Sequence, residues 1–347
     1  MMSLSVLAAY GLKEESLRLE KFGTGLINNT WKVITGENEY ILQRINDSVF
    51  KQPEDIVNNI SVIANHLQHS HPEYKFIAPI ISKDGHEMVY LEGEGFFRLF
   101  PFLAGSHSKD VVEKPEHAYE AAIQFGRFTR MLNGLDTTRL KITIPCFHDL
   151  GLRYQQFLTA LKNGNKLRIS ESASLIKQII QYADIVTEYG KILSNSEFKQ
   201  RITHHDTKIS NVLFDEKDKG LCVIDLDTVM PGYFISDLGD MMRTYLSPVS
   251  EEAQDFSKIE VRNEFYDAIV QGYFGEMKNE LTSTEKKYLF YSGKFMIYMQ
   301  AIRFLTDYFN NDSYYGSKYP GQNFVRTGNQ LTLLQRLLEK KSMFTKV

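Results

Sequence analysis

The sequence predicts an α+β protein, in which an N-terminal antiparallel sheet with one packed helix precedes a larger, mainly helical lobe. Short runs of alternating or β-branched residues dominate roughly the first hundred residues, and this period of two is typical of half-buried strands. Apolar residues at helical spacing dominate the rest of the chain. Two short β-type runs, at 212–214 and 221–225, interrupt the helical part. They indicate a lone hairpin around the turn 215–220.

Length and composition fit a globular protein of about two domains. The chain has 347 residues, of which 43% are hydrophobic, enough for substantial cores. Its 40 Lys and Arg residues against 43 Asp and Glu residues form no long block of one sign, so no nucleic-acid partner is expected. No apolar run has the length of a membrane span, and residues 1–11 lack the positive start of a signal peptide. We therefore expect a cytoplasmic protein without a membrane partner, and the oligomeric state stays open.

The two cysteines carry no recognisable chemistry. Cys146 and Cys222 lie far apart without a C-x-x-C spacing, so neither a zinc site nor a redox motif nor a disulfide framework is indicated.

The predicted N-terminal lobe consists of five strands and one helix. Ile56, Ile60 and Ile63 fall on one face of a helix over 53–68, between the third and fourth strands. Segment 100–106 combines Pro, Gly and Ser after the fifth strand, which is typical of a crossing between domains. We place the boundary at Leu103, so that the lobes comprise residues 1–103 and 104–347. The predicted strands are 17–22, 30–35, 39–45, 87–91 and 95–100.

The second lobe shows four helical stretches. An apolar stripe over 118–132 ends at Asn133-Gly134, a suitable helix stop. A capping box formed by Thr282 and Glu285 predicts the start of a long helix. The remaining stretches are 175–186, preceded by Ser170 as a candidate cap, and 330–340.

Polar residues of unusual type surround the hairpin. The run HHDTKISN, residues 204–211, leads into it, and Asp225 follows its second strand. Phosphoryl transfer needs a carboxylate that deprotonates the attacking hydroxyl, oxygen ligands for a divalent cation, and a cation near the transferred group. Asp206 is the candidate base, and Asn211 and Asp225 offer the oxygen ligands that suit Mg²⁺. The hairpin would bring these two ligands together.

This pattern resembles a known family of kinases. H-x-D-x-K-x-x-N, followed by a strand and Ile-Asp, is similar to the catalytic loop and metal-binding aspartate of protein kinases. The sequence Asp-Leu-Asp replaces Asp-Phe-Gly and no Ala-Pro-Glu follows, which resembles the aminoglycoside phosphotransferase and choline kinase branch. Within that branch the chain resembles the N-acetylhexosamine 1-kinases. The stretches that carry this resemblance are 225–232, 303–308 with Asp312 and Tyr315, 23–30, and 40–46.

The resemblance spans nearly the whole chain and implies a fold, an activity and cofactors. The implied fold is the two-lobe, protein-kinase-like one. The implied activity is transfer of phosphate from ATP, with Mg²⁺, to the anomeric hydroxyl of an N-acetylhexosamine, a small-molecule sugar.

It also implies roles around the catalytic loop. Asp206 would be the base, and Lys208 would reach the γ-phosphate unless it is only a solvated loop residue. His204 would hold the loop by hydrogen bonds, while His205 is expected to be exposed. Asp227 would be a second metal-side carboxylate, or it would orient neighbouring amides. Outside the loop, Asp237 would tie the loop down, with a helix N-cap as the alternative.

On the nucleotide side the expected residues are Gly23, Gly25, Asn28, Arg44 and Phe102. The glycine pair lies between two strands, where a plain hairpin turn is the alternative. Arg44 stands on the third strand, where protein kinases carry a lysine, and an arginine can bind phosphates bidentately. Phe102 lies in the crossing segment near the expected adenine, although it could equally belong to a core.

On the acceptor side the resemblance points to Arg303, Asp307, Tyr308 and Tyr315. Tyrosine rings can support the apolar face of a sugar, whereas a tyrosine cluster can also simply cap a core. Arg303 and Asp307 can alternatively form an i,i+4 ion pair on their helix. Two other functions stay open. One is an aminoglycoside, choline or homoserine kinase, and the other is an inactive kinase fold, which would be expected to lack Asp206 or a metal ligand.

Overall fold

The computed structural model describes residues 5–12, 17–23, 27–36 and 38–344. Gly25, expected at the nucleotide, lies outside these ranges. Five strands form an antiparallel sheet in the order β1-β2-β3-β5-β4. They are β1 (Leu17–Lys21), β2 (Asn29–Thr35), β3 (Asn38–Arg44), β4 (Val89–Leu91) and β5 (Gly95–Pro101), accompanied by helices α1 (Ser5–Ala9) and α2 (Pro53–Ser70).

The second lobe is mainly helical and contains two small antiparallel pairs of strands. β6 (Arg201–Thr203) pairs with β9 (Met230–Gly232), and β7 (Val212–Phe214) pairs with β8 (Gly220–Val223). This arrangement confirms the predicted fold, but the expectation of a lone hairpin is wrong, because β6 and β9 form a second antiparallel pair in this lobe. The helices are α3 (Pro115–Met131), α4 (Leu150–Asn163), α5 (Lys166–Glu171), α6 (Ala173–Gln181), α7 (Asp184–Ser194), α8 (Phe234–Tyr245), α9 (Asn263–Met277), α10 (Ser283–Lys286), α11 (Leu289–Phe309), α12 (Gln322–Glu339) and α13 (Lys341–Phe344).

The five-stranded sheet has two chemically different faces, because side chains alternate along a strand. On its outer face, Leu42 and Leu99 are paired in register and buried in a small apolar cluster with α1. On its inner face, Gln43 and Arg98 are paired in register. The inner face looks toward the second lobe, since Arg98 contacts Asp227 there.

Helix α2 belongs to the larger core. Its buried residues Ile56, Ile60 and Ile63 join the apolar cluster that continues through the second lobe. Asn59 is fully buried, and its amide donates to the carbonyls of Lys141 (2.8 Å) and Val229 (3.0 Å). These hydrogen bonds attach α2 to the segment that follows Asp225, so the helix helps to position that segment.

The second lobe is built around α11. Helix α11 packs against both α8 and α12. Gly239 in α8 permits the close approach to α11, since a Cβ there would come 2.3 Å from the Ser292 carbonyl oxygen. The capping box is present, but it begins the short helix α10 and not the long one. Its Glu285 is fully buried and pairs with Arg201 at 2.6 Å, so the cap also anchors β6.

The chain passes between the lobes over residues 103–106. Phe102 N donates to the Glu39 carbonyl (3.1 Å) in the first lobe, and His107 exchanges two backbone hydrogen bonds with Phe214 in the second. These contacts lie on either side of Leu103, and the boundary at that residue stays a prediction. Among the helices in the described ranges, none combines the length and the apolar character needed to cross a membrane.

Candidate active site

The catalytic loop joins β6 to β7 and brings three of the expected residues into one network. The Asn211 amide donates to the Asp206 carbonyl (2.8 Å) and to Asp206 Oδ2 (3.1 Å). Lys208 Nζ lies 3.1 Å from the same Oδ2. Partial dehydration lowers the pKa of Lys208, but the carboxylates of Asp206 and Asp225 outweigh this and raise it above its usual value. Lys208 is therefore a fixed cation beside the candidate base.

Two buried aspartates on α8 hold the loop from behind. Asp237 accepts from the backbone N–H groups of His204 (2.9 Å) and His205 (2.8 Å). Asp240 Oδ2 accepts from Thr207 N at 2.9 Å. Burial raises the pKa of Asp237 to about 7. Asp237 lies inside α8 and does not cap it, so the N-cap alternative is wrong and the side chain serves the loop.

The two histidines of the loop are both buried. The His204 ring lies 2.9 Å from the Ile224 carbonyl oxygen, which ties the loop to the strand before Asp225. The expectation that His205 is exposed is wrong. Its φ of 65° turns the ring inward against Gly232, where a Cβ would come 2.4 Å from the imidazole. Burial, with His204 nearby, lowers the pKa of His205 to about 4, so the ring is neutral.

Asp225 follows β8 in the left-handed conformation, with a φ of 59°. Ile224 N donates to the Asn211 carbonyl at 2.9 Å, so the hairpin places Asp225 and Asn211 side by side, as expected. Dehydration in the cleft and the charges of Asp227 and Asp206 raise the pKa of Asp225 to about 7.

This donor set fits a hard divalent cation. Asp225 and Asn211 present oxygen atoms, and a cation would offset both the dehydration and the neighbouring negative charges that raise the pKa of Asp225. The described residues contain no convergent group of three or more His, Cys, Asp or Glu side chains. A Mg²⁺ ion here would therefore keep much of its water, as this ion usually does.

Asp227 connects the two lobes. Its side chain is almost fully buried, with Oδ1 lying 2.5 Å from Arg98 Nη2 and Oδ2 accepting from the Asn28 amide at 2.7 Å. Arg98 Nε and Nη2 also donate to Gln43 Oε1, at 3.2 and 2.9 Å. The structure thus brings the expected Asn28 and Asp227 together. Sequence reasoning missed Arg98 and Gln43, for which the one available signal was an arginine within an otherwise apolar strand.

Arg44 is not part of this group. It neighbours Gln43 on β3 and therefore points to the outer face, where it is exposed. A Cβ added at Gly95 would lie 3.4 Å from Arg44 Nε. Gly23 has a positive φ of 77°, and nothing in the structure assigns it a ligand. Phe102 is half-buried, with Lys32 Nζ 4.0 Å from its ring centroid. The nucleotide roles of Gly23 and Phe102 stay predictions.

Arg303 lies among aromatic rings near the catalytic loop. Its guanidinium carbon is 5.5 Å from the ring centroid of Phe147, 5.8 Å from that of Tyr314 and 5.4 Å from that of Tyr315. The cluster adjoins the catalytic loop through His148, whose Nδ1 lies 3.2 Å from Nδ1 of the loop's second histidine. Burial, that histidine and Arg303 lower the pKa of His148 well below its usual range.

Asp307 and Tyr308 point elsewhere. Asp307 is buried, and its two oxygens accept from the backbone N–H groups of Tyr314 (2.8 Å) and Tyr315 (2.9 Å). It forms no ion pair with an arginine of its own helix in the described chain, so the i,i+4 alternative is wrong. The Tyr308 hydroxyl donates to Glu171 at 3.3 Å on the side of α5. Asp307 therefore shapes the loop between α11 and α12, which carries Tyr314 and Tyr315. Tyr308 is separate from the ring cluster.

The comparison with known proteins agrees with this geometry. Residues 18–281 match the model of the phosphotransferase enzyme family. The chain belongs to this family. It is therefore a small-molecule phosphotransferase with a hydroxyl group as the acceptor.

Several solved structures share the fold of this phosphotransferase. An aminoglycoside phosphotransferase from Alicyclobacillus acidocaldarius is 12% identical over 99% of this chain and 97% of its own, with a TM-score of 0.64. A microcompartment-associated aminopropanol kinase is 17% identical over 98% and 97%, also with a TM-score of 0.64. The amicoumacin kinase hAmiN, solved with AMP-PNP and Ca²⁺, is 14% identical over 99% and 92%, with a TM-score of 0.59.

Proposed function

We propose that this phosphotransferase is an ATP- and Mg²⁺-dependent kinase that phosphorylates the anomeric hydroxyl of an N-acetylhexosamine. The observation that carries the acceptor class is Arg303, a cation among rings with no ion pair in the described ranges. Because ATP is supplied in the cytoplasm, we place the enzyme there.

The proposed mechanism assigns the chemistry to the catalytic loop. Asp206 orients the acceptor hydroxyl and takes its proton as the oxygen attacks the γ-phosphorus, while the bond from the γ-phosphorus to the β,γ-bridging oxygen breaks and ADP leaves. Lys208, held beside Asp206, neutralises charge on the transferred group. Asn211 and Asp225 would hold Mg²⁺, which would supply electrostatic stabilisation of the phosphate oxygens. Asn28 and Phe102 line the nucleotide side.

The charge around the rings favours a neutral acceptor over a cationic one. Arg326 lies over Phe304 at 3.7 Å and near Tyr315 at 5.4 Å, so arginines of the chain already occupy the cation–π positions on these rings. Burial, and then the neighbouring Arg303, lowers the pKa of Arg153. A quaternary ammonium or polyamine acceptor would find the cation–π positions on these rings occupied by arginines and would be repelled by their positive charge, which opposes binding. A sugar offers hydroxyl and carbonyl oxygens to the same arginines and an apolar face to the rings.

An acceptor panel with ATP and Mg²⁺, read as ADP release, tests the proposal. N-acetylglucosamine and N-acetylgalactosamine should be turned over, and their methyl glycosides, whose anomeric oxygen is blocked, should be inert. Phosphate on O6, or turnover of a methyl glycoside, contradicts the anomeric assignment. Turnover of choline, homoserine or an aminoglycoside alone moves the enzyme to that alternative. No turnover of any acceptor, with ATP bound, supports the inactive kinase fold.

A further inference from the structure

Strand β3 supplies no basic side chain to the inner face of the sheet. In protein kinases this strand carries the lysine that contacts the nucleotide phosphates. Here the inner-facing residue at the end of β3 is Gln43, and the strand's arginine, Arg44, points outward. A nucleotide bound against this face would therefore lack a cation from β3.

The neighbouring strand, β5, places a cation next to the end of β3. Arg98 on β5 is paired in register with Gln43, and it is only 1% exposed. Two of its nitrogens donate to Gln43 Oε1, so the glutamine fixes the plane of the guanidinium. The charge thus lies beside the end of β3 although the residue comes from another strand.

The hydrogen bonds of Arg98 are incomplete. Nη1 is buried and has no partner among the described residues, although a guanidinium has five N–H donors in a fork that matches phosphate oxygens. Its acidic partner, Asp227, stands two residues from Asp225, and the charge of Arg98 also acts to lower the pKa of Asp225. The guanidinium therefore lies near an expected metal ligand.

We propose that Arg98 is the cation that binds the nucleotide phosphates, and that Asp227 holds it in place until a nucleotide binds. The inference rests on the proposed use of ATP. Phosphate oxygens compete with Asp227 for the guanidinium, while Asn28 retains the other oxygen of Asp227 at 2.7 Å. Asn28 itself is fixed by the N–H of Asn46 at 3.0 Å. Because Arg98 and Asp227 lie in different lobes, the exchange links nucleotide binding to the contact between the lobes.

The test compares nucleotides with and without phosphates. Affinities for ATP and ADP are measured by calorimetry, and affinity for adenosine by saturation-transfer NMR, in wild type, Arg98→Gln and Arg98→Lys. Arg98→Gln should lower the affinities for ATP and ADP by about tenfold or more, and the affinity for adenosine should stay within about twofold of wild type. Arg98→Lys should recover part of the loss, since it keeps the charge without the fork.

A second variant separates phosphate binding from a purely structural ion pair. Asp227→Asn releases Arg98, so ATP measured in EDTA should bind about three- to tenfold more tightly than to wild type. Arg201→Gln, which breaks the buried pair with Glu285 in the second lobe, is the matched control. It should lower the thermal midpoint without changing the ratio of ATP to adenosine affinity. If Arg98→Gln does not fold, Arg98→Lys and Asp227→Asn carry the same test.

Three results overturn the inference. The first is that Arg98→Gln lowers the affinities for ATP and adenosine by the same factor, and the second is that it leaves the ATP affinity unchanged. The third is that Asp227→Asn binds ATP more weakly than wild type in EDTA. In all three the wild type still binds ATP, and the proposed kinase function stands. A wild-type protein that binds adenosine and ATP equally, or neither, overturns the proposed function as well.

Discussion

The catalytic loop and the inner face of the sheet are assembled over very different distances along the chain. Asp206, Lys208 and Asn211 come from one short segment and contact each other directly. On the inner face, the partner of Arg98 on β3 is 55 residues away, and Asn28 is 199 residues from Asp227. Local spacing is enough to recognise the loop. The inner face exists only once the strands have paired and the lobes have met.

The two regions also differ in what supports them. The loop is held by two buried carboxylates of α8, which accept its backbone N–H groups. The inner face is held by strand register and by one ion pair across the lobes. Substitutions in the loop should therefore act on chemistry, whereas substitutions on the inner face should act on nucleotide binding. The following experiments test this division, from the largest expected effect to the smallest.

Asp206→Asn should lower kcat by about 10²- to 10⁴-fold, because the amide cannot take the proton of the attacking hydroxyl. The ATP affinity should stay within about twofold, since the carboxylate is needed at the acceptor and not at the nucleotide. Steady-state kinetics and calorimetry measure the two quantities. Glu216→Gln, on the exposed hairpin turn, is the control and should keep wild-type kcat. Near wild-type turnover by Asp206→Asn would refute the assignment of the base.

Asp225 should make the use of Mg²⁺ depend on pH. Dehydration in the cleft, Asp227 and Asp206 raise the pKa of Asp225 to about 7, and Mg²⁺ binds the deprotonated form. The wild-type KM for Mg²⁺ should therefore rise as the pH falls below 7, by about tenfold per pH unit. A KM for Mg²⁺ that is constant between pH 8 and pH 6 would show that the metal lies elsewhere.

The same carboxyl should limit stability in the absence of metal. Because its pKa is higher in the folded state than in the unfolded state, its contribution to stability is present at low pH and is lost as the pH rises toward 7. Asp225→Asn should therefore raise the metal-free unfolding midpoint at pH 8 by about 1–3 °C, while abolishing most turnover. Equal midpoints at pH 8, measured by calorimetry, would contradict this.

Arg303 and Asp307 should give different signatures although they lie on one helix. Arg303→Ala should lower kcat/KM for the acceptor by about tenfold without a change in thermal midpoint, because it removes a half-exposed donor from the ring cluster. Asp307→Asn should lower the free energy of unfolding by about 1–3 kcal/mol, because a backbone donor of the loop between α11 and α12 loses its partner. Arg336→Ala, on the exposed side of α12, should change neither quantity. Identical profiles for the two variants would show that they share one role.

Arg44→Gln should produce the smallest effect, with the KM for ATP within about twofold of wild type, because the side chain is exposed on the outer face. Arg98→Gln in the same assay should raise the KM for ATP by about tenfold or more. The reverse order would mean that the third strand does serve the nucleotide, and that the division between the two regions is wrong there.

The sequence was most informative where chemistry and chain order coincide. The strands and packed helix of the first lobe, the hairpin β7–β8 and the segment 204–211 followed from period and spacing. The second strand pair, β6–β9, and helix α8 were not predicted, because their residues show no period that reveals a distant partner. Asn211 and Asp225 were paired correctly because a hairpin necessarily brings its two ends together. The expectation for His205 failed because polarity alone does not reveal a positive φ and a glycine that makes room for the ring.

The sequence by itself determined which residue types are available and which of them are neighbours along the chain. Only the tertiary structure decided which face each side chain occupies and whether its hydrogen bonds are already used. A one-residue step along β3 separates Arg44 on the outer face from Gln43 beside Arg98 on the inner face. The side chain of Asp307 is likewise buried, and both of its oxygens accept hydrogen bonds from backbone N–H groups. The physical reason is that strand register and the satisfaction of buried polar groups depend on contacts between distant segments, which no local pattern encodes.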